Sequence, residues 1–333
     1  MDGIKVSFII PAYNVAPYIG NCIESVLTQS IEKEIIIIND GSTDRTADEA
    51  QKYADKYSFI KIINKSNQGL SSARNDGVSI ARGEYVCFID ADDYFLEDFA
   101  GDFYKLCKLH RLDIIRGFYA RAYPDGRIKK VIHPVSFLNC PLNSYDYLAK
   151  SVYEKAMEVV AVAGFIRRDF LINHKLKFEE GLCYEDRLFY LKLLLSSKNC
   201  TVMQTDRCIY GYRMREGSIT KTTDKKKLID LIKIMRKQIF FIDNLELNKY
   251  YITAANKVAS ASLSHLTSLY LRLSSNERRE IIGKIPGRLK LRALRYSYSF
   301  RDFIKLSGFI FFPRLFVLIF NLKCFLKKYR DFI

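Results

Sequence analysis

Four short apolar runs, each followed by polar turn residues and then by helix-type spacing, constrain this chain more than any other feature. Residues 5–10 (KVSFII) stop at Pro11, residues 34–38 (EIIII) run into Asn39-Asp40-Gly41-Ser42, and residues 60–64 and 85–89 complete the set. Between them Tyr18, Ile19, Cys22, Ile23, Val26 and Leu27 recur at helical spacing. Ser42 and Thr43 stand where caps would open a second helix reaching about Tyr57, and residues 70–81 read as a third. Strands that are apolar throughout, rather than alternating, must be covered on both faces. The expected fold is therefore α/β, a doubly wound and mostly parallel sheet with helices on both sides.

Beyond residue 110 the pattern loosens. Residues 113–123 and 127–132 flank Pro124-Asp125-Gly126 as a hairpin would. Residues 143–153, 168–174 and 185–196 read as helices and 209–214 as a strand, and from about 225 the chain is helical and basic. This suggests residues 1–110 and 111–220 as two halves of one α/β domain, with 221–333 as a helical extension.

Charge sharpens that division. The formal net charge is +16, and residues 221–333, with 24 Lys and Arg against 8 Asp and Glu, hold all of it; residues 1–220 are balanced at 29 against 29. An anionic membrane, an acidic ligand and nucleic acid are the usual partners of such a segment. No nucleic-acid motif accompanies the charge, so nucleic acid is the weakest of the three. The eight cysteines form no CxxC pair and the four histidines are isolated, so neither a zinc site nor a disulfide framework is expected. The first residues lead straight into a strand, with no expectation of a signal peptide.

In an open parallel sheet ligands bind beyond the carboxyl ends of the strands. Those ends carry Pro11-Ala12-Tyr13-Asn14, then Asn39-Asp40-Gly41-Ser42, then Asn67-Gln68-Gly69 with Arg74, then Asp90-Ala91-Asp92-Asp93. Neither GxGxxG nor a P-loop occurs. Asp90 and Asp92 instead offer hard oxygen ligands for Mg²⁺ or Mn²⁺, which commonly recruit substrate phosphates to complete their shell. That points to a nucleoside diphosphate. Tyr13 offers an aromatic face to a base, Asp40 an acceptor for a base N–H or ribose hydroxyl, and Arg74 a phosphate partner. Asp93 is a further candidate for the metal or for the start of the next helix.

PAYN, NDGSTD, NQGLSSARNDGVSIARGEY and FIDADD, in this order and spacing, resemble the family 2 glycosyltransferases, which have the GT-A fold. The resemblance is close over about residues 4–100. It extends to about 220 through Tyr184-Glu185-Asp186, similar to the family's ED motif, and through residues 210–220 (YGYRMREGSIT), similar to its tyrosine- and arginine-rich segment. It implies that Pro11, Ala12, Tyr13 and Asp40 contact the nucleoside, that Asp90 and Asp92 form the DxD pair, and that Asp186 is the catalytic base. It makes 1–110 the nucleotide-sugar half and 111–220 the half holding acceptor and base. Inverting transfer needs one base to take the acceptor proton and no acid at the diphosphate, so a single carboxylate opposite a metal site suffices. Glu185 is the neighbouring candidate; Arg213 and Arg215 are candidates to steady the diphosphate.

The expected function is inverting, metal-dependent transfer of a sugar, most simply from a UDP-sugar, to a glycan or lipid-linked glycan hydroxyl in bacterial surface polysaccharide assembly. A sugar nucleotidyltransferase and a catalytically silent glycan- or nucleotide-binding module remain open as alternatives. In the basic third, residues 308–320 (GFIFFPRLFVLIF) are the most apolar stretch, yet too short to span a bilayer and broken by Pro313-Arg314. A basic, aromatic-rich segment of this kind suits the headgroup layer, which would place the protein in the cytoplasm, peripheral to the inner face of the membrane.

Overall fold

The computed structural model describes residues 3–215 and 224–320. The chain divides into two compact units, residues 1–218 and 219–333.

In the first unit the four apolar runs become strands β1 (Val6–Ala12), β2 (Lys33–Asp40), β3 (Ile60–Lys65) and β4 (Tyr85–Phe88). They pair in parallel in the order β3-β2-β1-β4. Helices α1 (Ala16–Leu27), α2 (Thr46–Ala54) and α3 (Leu70–Ile80) make the connections between them. Ala12 lies opposite Asn39, and Ile9 opposite Phe88, so the loops after β1, β2 and β4 leave the sheet at one edge. Every residue of β1 is buried, as strands covered on both faces require.

The second half of the sheet is mixed. Beyond the two-residue β5 (Tyr94–Phe95) and α4 (Ala100–His110) come β6 (Ile114–Ala122) and β7 (Ile128–Val131), the expected antiparallel hairpin. After β8 (Leu142–Asn143), α5 (Ser144–Tyr153), β9 (Gly164–Arg167), α6 (Arg168–Asn173) and α7 (Asp186–Leu195), the long β10 (Thr201–Arg213) closes the unit. β9 lies antiparallel between β4 and β6, and β10 runs parallel to β6. β10 also takes β5 as an antiparallel partner, Gly211 opposite Tyr94. A Cβ at Gly211 would stand 2.9 Å from the Tyr94 ring, so glycine permits this approach. The core holds Phe8 edge-on to Phe95 and Phe165, with ring centroids 5.8 and 6.4 Å apart.

Two local expectations change. The second helix opens at Thr46, with Arg45 at the N-cap and no side-chain cap there; the Asp44 carboxylate accepts from the Thr46 N–H at 3.0 Å, while Ser42 and Thr43 bond to Asn14. The helix after the acidic loop opens at Ala100, so Asp93 does not start it.

The second unit contains α8 (Lys225–Asp243), α9 (Lys249–Tyr270), α10 (Ser275–Lys284), α11 (Gly287–Arg295) and α12 (Phe300–Phe311). Among the described residues, no helix is long and apolar enough to cross a membrane. Residues 216–220 of the tyrosine- and arginine-rich segment and the basic residues after 320 lie outside the described residues.

Candidate active site

The strand-end residues divide by role. Pro11 and Ala12 are buried within β1, whereas Tyr13 is 49% exposed. Asn14 has a left-handed φ of 51°, which asparagine tolerates better than most residues. Its side-chain oxygen accepts from the Thr43 N–H at 2.8 Å, and its own N–H donates to Ser42 Oγ at 3.1 Å. Asn14 therefore laces the first loop to the second. Asp40 does the same for the third: Oδ1 accepts from Gln68 N–H at 2.9 Å and Oδ2 from Gly69 N–H at 2.7 Å. Gly69, with φ of 92°, adopts a backbone conformation that side chains other than hydrogen resist. The result is a braced polar edge with one exposed aromatic ring.

At the end of β4 the three aspartates diverge. Asp90 Oδ1 accepts from Arg74 Nη2 at 2.7 Å. Asp92 Oδ2 accepts from both Nε and Nη2 of Arg215, each at 2.7 Å, and its backbone oxygen from Arg213 Nε at 2.9 Å. Both side chains keep solvent access, 31% for Asp90 and 23% for Asp92. Asp93 is buried: Tyr210 Oη donates to Oδ2 at 2.7 Å and Arg213 N–H to Oδ1 at 2.8 Å. Burial, with Asp92 and Asp90 beside it, pushes the Asp93 carboxyl well above the usual range. Asp93 thus fastens the acidic loop to β10 and leaves Asp90 and Asp92 at the surface.

Arg74, which the sequence suggests as a phosphate partner, is itself buried. Its Nη1 donates to Glu185 Oε1 at 2.6 Å while Nη2 holds Asp90, and its guanidinium lies 5.1 Å from the Phe178 ring centroid. Phe178 in turn stacks on Phe189 of α7 at 3.8 Å. Glu185 occupies the N-cap position of α7 but makes no side-chain cap; its carboxylate is turned to Arg74. Asp186, the first residue of α7, accepts at Oδ1 from the Arg187 N–H at 2.8 Å. Burial, with the Glu185 charge second, pushes the Asp186 carboxyl from an ordinary 3.8 up to about 7, against the pull of Arg187 and Arg74. A carboxylate poised near neutrality is what general-base chemistry requires.

Arg213 and Arg215, candidates to steady the diphosphate, are held by residues to which the sequence assigns no role: Tyr18, Asn21, Tyr94 and Tyr210. Arg213 and Arg215 both stack on Tyr18, at 5.4 and 5.2 Å, and Arg213 also meets Tyr94 and donates to Asn21 Oδ1 at 2.6 Å. Tyr210 lies in the tyrosine- and arginine-rich segment, and its three-residue spacing to Arg213 is the sequence signal that marks it.

Among the described residues no group of three or more His, Cys, Asp or Glu side chains could hold a metal ion. Asp90 and Asp92 alone supply two hard oxygen ligands, the number with which a protein commonly holds Mg²⁺ when substrate phosphates and water complete the shell. The donor set fits a dication bound together with a diphosphate.

The family model described as "Glycosyl transferase family 2" matches residues 7–174, which include every strand end above. The chain belongs to glycosyl transferase family 2. Its relatives within that family include glycosyltransferase GlyA of Streptococcus pneumoniae, 29% identical over 72% of this chain and 35% of GlyA, so this chain spans about a third of that relative. The cholesterol galactosyltransferase of Borreliella burgdorferi is 27% identical over 95% of this chain and 92% of its own length. Among solved structures, residues 1–349 of Staphylococcus aureus TarS in complex with UDP-GlcNAc superpose with a TM-score of 0.65 at 22% identity, covering 92% of this chain and 91% of that one. This family 2 chain has the GT-A fold of TarS.

Proposed function

We propose that this chain is an inverting glycosyltransferase that moves a sugar from a UDP-sugar, with Mg²⁺ or Mn²⁺, to a glycan or lipid-linked glycan hydroxyl in surface polysaccharide assembly. The observation that carries the proposal is the single Arg74 guanidinium that holds both Asp90 of the metal-side loop and Glu185 beside the base, with Asp186 raised to about 7 next to it. The solved TarS complex with UDP-GlcNAc supports the choice of UDP. A relative covered over 92% of its own length and named for cholesterol supports a lipid-borne acceptor, and the basic residues 221–333 support a place at the inner face of the membrane.

In this reading the nucleoside lies on Tyr13 and against Asp40, the loop that Asn14 braces being fixed before substrate arrives. Asp90 and Asp92 would hold the dication, which when bound offsets the negative charge that develops on the departing diphosphate. Arg213 and Arg215, stacked on Tyr18, bring two further positive charges to that edge. Asp186 takes the proton of the acceptor hydroxyl as its oxygen attacks the anomeric carbon from the face opposite the leaving group. No second acid is required, because the diphosphate leaves as an anion.

A release assay with UDP-, GDP- and dTDP-sugars, Mn²⁺ and acceptor glycans tests this directly. UDP should accumulate from a UDP-sugar with an inverted anomeric product; nucleotide at background from every donor and acceptor would remove the proposal.

A further inference from the structure

Helix α12 turns apolar side chains in two opposite directions. At 3.6 residues per turn, Phe300, Phe303, Ile304 and Phe311 fall within an arc of about 100°, and they are 77%, 42%, 56% and 58% exposed. Leu306 and Phe309 point the other way and are buried, Phe309 edge-on against Tyr270 of α9 at 4.9 Å. The inward face anchors the helix, and among the described residues the outward side chains stay exposed. Phe300 and Phe303 lie nearly parallel on that face, with ring centroids 6.5 Å apart. The exposed apolar series continues through Phe312, Leu315 and Leu318.

The neighbouring α11, which contacts α12, repeats the pattern with charge added. Leu291 is 64% exposed and lies on one stripe with Arg288 and Arg295, three residues before it and four after, both exposed. Arg301 is exposed beside Phe300 on α12. A helix face of aromatic and aliphatic side chains bordered by arginines is suited to the headgroup layer of a bilayer, and no described helix could span one. The charge decides between occupants. A second copy of this chain would bring a further +16 against the same surface, whereas an anionic leaflet complements it.

We propose that the outward face of α11 and α12 is a docking surface for an anionic lipid bilayer, with Phe300, Phe303, Ile304, Phe311 and Leu291 at the acyl boundary and Arg288, Arg295 and Arg301 on lipid phosphates. It deepens that part of the proposed function which sets the chain at a membrane, and it does not depend on the transfer chemistry.

The test is flotation of the full chain with phosphatidylcholine vesicles, alone and with phosphatidylglycerol added. Two variants accompany it, Phe300→Ser/Phe303→Ser/Phe311→Ser and Arg288→Gln/Arg295→Gln/Arg301→Gln. The wild type should float only with the anionic vesicles, and each variant should bind them about a hundredfold more weakly. The arginine variant keeps the test intact should the serine variant fold poorly. Equal flotation of wild type and arginine variant would overturn the proposal. So would a wild type that ignores anionic vesicles, including one that elutes as a dimer. UDP binding measured by calorimetry on the same samples separates the two readings: a wild type that floats without binding UDP leaves the docking surface standing and contradicts the transferase.

Discussion

Asp90 and Glu185, far apart in the chain, share one guanidinium: Arg74 donates to the first at 2.7 Å and to the second at 2.6 Å. The loop after β4 and the start of α7 are thereby held at a fixed separation, with the Phe178 ring against the guanidinium. Removing a buried partner leaves uncompensated charge, a far larger effect than loss of a surface pair. Arg74→Ala should destabilise the chain by about 3–5 kcal/mol in urea unfolding. Arg74→Lys, which keeps the charge but cannot fork to two carboxylates, should retain most stability and lose most activity. Full activity in Arg74→Lys would show that the bridge is only structural.

The acidity of Asp186 gives a pH dependence of defined sign. A carboxyl raised from 3.8 to about 7 keeps its proton longer in the folded chain. Between those values the native state binds more protons than the unfolded state, so this group makes stability fall as pH rises through the window. Below the window it costs nothing, and above it the penalty is complete. Asp186→Asn should therefore raise the melting temperature relative to wild type at pH 8 and lose that advantage at pH 4. Wild-type turnover should in turn rise through about pH 7 as the base ionises; a flat profile there would contradict the assignment.

Tyr210 and Asp93 set the shape of the acidic loop. Tyr210→Phe removes the 2.7 Å hydrogen bond to Asp93 and leaves a buried carboxyl oxygen without that donor. A cost of about 1–3 kcal/mol is expected in denaturant unfolding. The apparent affinity for Mn²⁺ should also weaken, because Asp92 adjoins the loosened residue; unchanged stability would show that the loop is held by other contacts.

Metal and nucleotide should stabilise the chain together. Asp90 and Asp92 supply too few ligands to hold a dication well without phosphate oxygens, so Mn²⁺ alone should shift the melting temperature little and Mn²⁺ with UDP clearly. At a hundredfold excess over the dissociation constant, binding adds about 2.7 kcal/mol. Asp92→Ala should abolish the joint shift, and an equal shift in that variant would remove the metal from Asp92.

The first half of the fold was legible because its signal is local and redundant. In β1 and β2 continuous apolar runs sit between helices of clear periodicity, and parallel packing leaves few alternatives. In the second half the β6–β7 hairpin was legible, but the other strands were hidden wholly or in part. β9 is only four residues long and is identified by pairing with β4 and β6, which no local pattern encodes. Only the end of β10 was visible, because its middle buries Gln204 and Thr205, satisfied by backbone oxygens including that of Arg116. At the candidate site the chemistry-bearing residues were legible as strand-end polar groups. Their partners were not: that Arg74 would turn inward to Glu185, or Tyr210 to Asp93, depends on contacts between segments more than a hundred residues apart.

In the proposed function Asp186 is the base of a sugar transfer. The most direct measurement compares UDP release from a UDP-sugar, with Mn²⁺ and acceptor at pH 8, by wild type and Asp186→Asn. With Asp186 as the base, kcat should fall at least about a hundredfold in the variant, with KM for the donor little changed. Turnover by Asp186→Asn within threefold of wild type would contradict that role.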